Sequence, residues 1–145
     1  MAAPQAGQVM QLAIEAGDWL AAQGQAQPSG IAWPADANRP EAVAYDLGSG
    51  TAGIVVYFLS VYAATGNDRF LELAEDGGDY LASLLEDSEA IAAGARRASL
   101  YAGISGIGVA LELLAEHRPA FSAEVDKVVS MLDDWRVTEP AGIRW

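Results

Sequence analysis

An all-α fold built of repeated helix pairs is the architecture this chain predicts, and three observations carry the prediction. First, Asp46-Leu-Gly-Ser-Gly-Thr-Ala-Gly-Ile54 and Ser99-Leu-Tyr-Ala-Gly-Ile-Ser-Gly-Ile107 read as copies of one another. Each holds a Gly-x-x-Gly (Gly50/Gly53 and Gly103/Gly106) with a leucine three residues upstream and an apolar run behind it. From Gly50 to Gly103 is 53 residues, a spacing of the size that repeat architectures show. Second, segments apolar almost all round alternate with segments whose apolar residues recur at three and four. Third, no alternating apolar–polar run is bounded by a hairpin turn, so strand signals are weak.

Five helices follow, at roughly 8–19, 51–65, 68–86, 104–117 and 122–136. The first is amphipathic and carries Gly17-Asp-Trp-Leu20. The second runs through Ile54-Val-Val-Tyr-Phe-Leu-Ser-Val-Tyr-Ala-Ala64 into Thr65-Gly-Asn-Asp68, where a helix stops and another starts. Gly66 is suited to a left-handed C-terminal cap, and Asn67 or Asp68 offers a side-chain oxygen to the next helix's free N–H groups. The third helix lines up Phe70, Leu73, Ala74, Gly77, Leu81, Leu84 and Leu85 on one face, and its Gly78-Asp-Tyr-Leu81 echoes Gly17-Asp-Trp-Leu20. Ile107-Gly-Val-Ala-Leu-Glu-Leu-Leu-Ala115 repeats the apolar helix. A break at Arg118-Pro119 precedes the last helix, which Ser122 is placed to cap and whose apolar face is Val125, Val128, Val129 and Leu132. Asp133-Asp-Trp135 is a weaker third copy of the outer-helix motif.

Between Gln23 and Tyr45 lies a long irregular stretch broken by Pro28, Gly30, Pro34 and Pro40, with Trp33 among them. A loop of this length inside a compact domain is often functional. Its Gly30-Ile-Ala-Trp33 is echoed by Gly142-Ile-Arg-Trp145, after which nothing follows. The sequence therefore reads as a single partial domain over 1–145 that stops in mid-repeat.

Composition narrows the function. The formal net charge is −12, from 8 basic and 20 acidic residues, which repels both a phosphate backbone and anionic headgroups. No nucleic acid and no membrane are expected as partners. The longest apolar run, about 13 residues from Ala52 to Ala64, is too short to span a bilayer. With no cysteine there is no disulfide framework, thiol nucleophile or thiolate metal site within these residues. No charged n-region precedes an apolar segment at the N-terminus, so a cytoplasmic location is expected.

The Leu-x-x-Gly-x-x-Gly-Ile segments before buried helices, with the Thr65-Gly-Asn-Asp68 turn and amphipathic helices carrying Tyr80-Leu81, resemble the lanthionine synthetase C-like family. The resemblance extends over about residues 9–145. It implies an (α/α) toroid, an inner ring of helices inside an outer ring, of which this chain holds about two and a half helical hairpins. Gly50, Gly53, Gly103 and Gly106 are then structural turns into the inner helices, with glycine permitting positive φ and close helix approach. Cyclases of the family use zinc held by two cysteines and a histidine to activate a peptide thiol for addition to a dehydrated serine or threonine, the thiolate being the nucleophile. This chain has no cysteine and one histidine, His117, read as complementing its helix's C-terminal dipole. No cofactor is therefore expected in this segment, and zinc would enter only with a full-length protein.

Trp33, Tyr45, Asp46 and Tyr101 are the cavity-lining candidates, with Thr51 and Ser105 at the same level. Asp46 has the chemistry of a general acid or base, against which stands a turn-capping role. Trp33 and Trp145 read as plugs between repeats or as aromatic platforms, Tyr45 and Tyr101 as packing residues or a ligand stack. Ser99 and Ser105 have no neighbouring histidine to form a nucleophile–base pair. Arg96-Arg97 is a basic pair read as solvated loop charge or an anion contact. Two functions remain: scaffold and cavity wall of a lanthionine synthetase C-like protein acting on peptides, or a non-catalytic toroid module for a peptide, carbohydrate or protein partner. Toroid glycosidases rank last, because they need paired carboxylates and Asp46 is alone. Open toroid flanks further predict marginal stability or self-association.

Overall fold

The computed structural model of the chain describes residues 5–87 and 98–138. In order come α1 (Ala6–Gln23), β1 (Gln25–Gln27), β2 (Gly30–Pro34), β3 (Val43–Ala44), α2 (Thr51–Thr65), α3 (Asp68–Glu86) and α4 (Ile104–Ala115). A 3₁₀ turn, Pro119–Phe121, leads into α5 (Ser122–Thr138). The molecule is predominantly helical, as its sequence predicts. Its apolar helices α2 and α4 pack on each other, while α3 lies against both and against α5.

Local chemistry explains the helix limits. Gly66 ends α2 in the left-handed region (φ 68°) and donates its N–H to the Tyr62 carbonyl. Asn67 begins α3 by accepting the Arg69 N–H on its side chain at 3.2 Å. Ser122 takes a different part from the cap expected of it. It is already the first residue of α5, because the Pro119–Phe121 turn feeds straight into that helix.

The stretch predicted as irregular contains a small antiparallel sheet in the order β1-β2-β3. A two-residue Pro28-Ser29 turn pairs Gln27 with Gly30, and β3 sets Ala44 opposite Trp33. Gly30 has φ +146°, and a Cβ there would overlap the Asp76 carbonyl oxygen on α3. Only glycine allows β2 to lie this close to the helix.

The core runs along the layers. Trp33 on β2 meets Phe58 of α2 edge-on at 5.5 Å, and Phe58 stacks on Phe70 of α3 at 5.9 Å. Beyond them Leu81, Ile104, Ile107, Leu111, Leu114 and Phe121 are buried together. α1 is held more loosely: Tyr57 Oη donates to the Ala13 carbonyl at 2.5 Å, and Arg69 pairs with Asp18 at 2.6 Å. In α5 Val128 is buried, but Val129, expected on the same face, is 59% exposed.

Candidate functional site: the paired glycine loops and the adjoining cleft

The two repeated segments fold as matched loops. In the first, the Asp46 carboxylate accepts the Ser49 N–H at 2.7 Å. In the second, at the equivalent position, the Ser99 hydroxyl accepts the Ala102 N–H at 3.3 Å. Each side chain thereby closes its own turn three residues on. Thr51 Oγ1 donates to the Ala44 carbonyl and Ser105 Oγ to the Ala98 carbonyl, both at 2.8 Å and both reaching seven residues back. Asp46 also receives the Ser49 hydroxyl, so its carboxylate is committed to the turn.

The glycines serve close approach. Gly50 and Gly103, the N-caps of α2 and α4, are extended at φ −129° and −140°. Among the described residues positive φ occurs only at Gly30 and Gly66, which corrects the expectation that these loop glycines need it. A Cβ on Gly53 would overlap the Leu47 carbonyl oxygen, and one on Gly106 the Leu100 carbonyl oxygen, the same offset of six residues in both copies. The loops also join: the Gly48 N–H donates to the Tyr101 carbonyl at 2.9 Å, and a Cβ on Gly106 would stand 2.7 Å from the Leu47 Cβ. Leu47 of the first loop thus sits on the second glycine of the next.

A cleft of about 390 Å³ lies beside the first loop, lined among others by Trp19, Trp33, Pro34, Leu47, Gly53 and Ile54. Its volume is within the range of small-ligand sites. Trp33 contributes a wall while its Nε1–H donates to the Leu20 carbonyl at 2.7 Å, which fixes the ring. Gly50 lines the cleft too, whereas Tyr45, Asp46 and Tyr101 are not among its lining residues. Tyr45 lies near Tyr80, whose hydroxyl pKa is raised by burial and, secondarily, by that neighbour. Tyr101 is 67% exposed at the outer side of the second loop. Trp145 and the Arg96-Arg97 pair fall outside the described residues.

Trp19 and Leu47 were not anticipated as lining residues. The signal for Trp19 was the echo of Gly17-Asp-Trp-Leu20 in Gly78-Asp-Tyr-Leu81: Tyr80 is buried, while its counterpart Trp19 is 55% exposed.

The residues present do not make a zinc site. There is no cysteine in the chain, and among the described residues no group of three His, Cys, Asp or Glu side chains could hold a metal ion. His117 lies just beyond α4, its ring edge-on to Tyr62 at 5.4 Å. No helix among the described residues is long and apolar enough to cross a membrane.

Comparison with known proteins returned no match among curated sequences and none among solved structures. The family model described as lanthionine synthetase C-like protein matches residues 41–127, more than half of the chain. That span starts just before β3 and reaches into α5, so it takes in both glycine loops and the helices they open. On this match, which takes in two loops that share two side-chain hydrogen bonds at equivalent positions, the chain belongs to the lanthionine synthetase C-like family.

Proposed function

We propose that this chain is scaffold and part of the cavity wall of a lanthionine synthetase C-like protein that engages peptides, in the cytoplasm. The observation that carries the reading is the joining of the two glycine loops by the Gly48 N–H and the Tyr101 carbonyl. This contact ties the starts of α2 and α4 into one rigid rim, and a binding surface held on such a rim loses little entropy when a flexible peptide docks. Thioether formation in this family rests on zinc and a peptide thiolate. These residues supply neither a zinc ligand set nor a base poised on a nucleophile, so their part is positioning.

The alternative is a non-catalytic toroid module for a peptide, carbohydrate or protein partner. The absence of cysteine favours it wherever no further ligands accompany these residues. One experiment separates the two. The reading frame that contains these residues is expressed from its source, its zinc content is measured, and it is offered a peptide carrying a dehydrated serine and a free cysteine. Ring closure with one bound zinc supports the peptide-modifying reading. Peptide binding without zinc or closure supports the module, and no peptide binding at all refutes the proposed role.

A further inference from the structure

The Gly-Asp-aromatic-Leu echo between α1 and α3 marks a contact that the structure makes twice. Gly17 is the buried residue of α1, and a Cβ there would stand 2.7 Å from Phe70 Cε1 at the start of α3. Gly78 is its counterpart on α3, and a Cβ there would stand 2.9 Å from Phe121 Cζ, just before α5. Each glycine is the seat of a phenylalanine brought by the next amphipathic helix. The aspartate after each glycine is engaged in the same way: Asp18 pairs with Arg69 at 2.6 Å and Asp79 with Arg118 at 3.0 Å. In both copies the arginine lies over the phenylalanine it arrives with, at 6.0 Å from the Phe70 ring centre and 4.8 Å from that of Phe121. The match is hidden in the sequence, because Arg69 and Phe70 are adjacent while Arg118 and Phe121 are three apart. Both contacts are made wholly between residues 17 and 121.

We propose that the Gly-Asp pair is the socket of a repeated latch between successive amphipathic helices, entered by an arginine and a phenylalanine of the helix that follows. The phenylalanine supplies the buried area. Phe70 is fully buried and stacked on Phe58, so it has no room to shift away from Gly17. The Asp18–Arg69 pair is about half exposed and contributes direction more than energy, fixing the rotation of α1 about that seat. α3 carries the key of the first latch in its first turn and the socket of the second about two and a half turns on, so one rigid helix holds both α1 and α5. In the first copy the latch also aims the residue beside the aspartate. Trp19 stands in the cleft wall, and the carbonyl of the next residue, Leu20, accepts the Trp33 Nε1–H at 2.7 Å. Arg69 and Phe70 do not line the cleft, yet by this route they are positioning residues for its wall. Trp19 serves a ligand only where the cleft binds one, as proposed above; the latch holds α1 with or without it.

The Trp33 indole N–H reports the seating of α1, because its acceptor is an α1 carbonyl. Its hydrogen exchange and that of the α1 amides are followed by NMR in the 145-residue chain, with no ligand present. Asp18→Asn and Arg69→Gln each break the ion pair at an exposed position and should speed both exchanges about two- to fivefold. The double variant should be no faster than either single one, and Asp18→Lys combined with Arg69→Glu should bring the rate back toward wild type. Arg118→Gln breaks the second latch and should speed exchange in α5 while leaving the Trp33 indole as it was. Gly17→Ala drives a Cβ into Phe70 and should speed the indole about tenfold. If that variant fails to fold, the ion-pair cycle decides alone. Ion-pair variants that exchange like wild type, effects that multiply in the double variant, or an acceleration spread evenly over α1, α4 and α5 would each overturn the latch. The last of these would mark a plain loss of global stability.

Discussion

Replacing Thr51 by valine tests how the strand and the second helix are tied together. Thr51 is fully buried, 0% exposed, and its hydroxyl works in both directions. It accepts the Trp33 N–H at 3.0 Å and donates to the Ala44 carbonyl at 2.8 Å. Trp33 and Ala44 face each other across β2 and β3, so one hydroxyl bridges the two strands to the first turn of α2. Valine keeps the shape and removes both bonds. A buried backbone group left without its partner costs about 1–3 kcal/mol, and two are affected. The methyl group that replaces the hydroxyl is easier to bury and returns about 1 kcal/mol. The net loss is about 1–5 kcal/mol. With a urea m-value of about 2 kcal/mol/M, the midpoint falls by about 0.5–2.5 M. Thr51→Ser keeps the hydroxyl and loses one methyl, costing about 1 kcal/mol. Urea denaturation followed by both circular dichroism and tryptophan fluorescence reads the two variants side by side. A valine variant within 1 kcal/mol of wild type, or a serine variant as damaged as the valine, would show that the hydroxyl bridge contributes nothing beyond its volume.

Three further outcomes are expected. Gly53→Ala and Gly106→Ala each force a Cβ onto a loop carbonyl and should lose about 1–3 kcal/mol, Gly106→Ala the more because its Cβ also meets the Leu47 Cβ; chemical denaturation compares them. Gly66→Ala puts a side chain at φ 68° and should lower the melting temperature, whereas Gly7→Ala, with nothing within 4 Å of the added methyl, should raise stability by up to about 1 kcal/mol. Asp76 has its pKa raised by desolvation first and by repulsion from Asp79 and Glu72 second, with Arg118 opposing. The folded state then holds this proton more tightly than the unfolded chain, so stability declines as pH rises from the ordinary aspartate range through the raised value. Asp76→Asn should be the more stable form at neutral pH and should flatten that decline, which denaturation across a pH series measures.

The helices were legible because their determinants are local. Gly66, Asn67 and the three-and-four spacing from Phe70 to Leu85 delimit α2 and α3 at 51–65 and 68–86, where the structure has them. The turn role of Asp46 was legible for the same reason, since its partner Ser49 is three residues away. The strands were not. Gln25-Ala-Gln27 has neither β-branched residues nor length, and it becomes a strand only because β2 runs beside it. Val129 shows the converse: its spacing places it on an apolar face, but among the described residues no element covers it.

By itself the sequence determined the helix order, the caps and the 53-residue echo of the glycine loops, because hydrogen bonds and side-chain spacing within a few residues suffice for each. Only the tertiary structure decided why the glycines are there and where the concave surface lies. Gly53 and Gly106 answer to carbonyl oxygens that approach when the loop closes, and not to a backbone angle of their own. The cleft draws Trp19, Trp33 and Gly53 together from three separate elements, and a surface so made exists only once α1, β2 and α2 have packed.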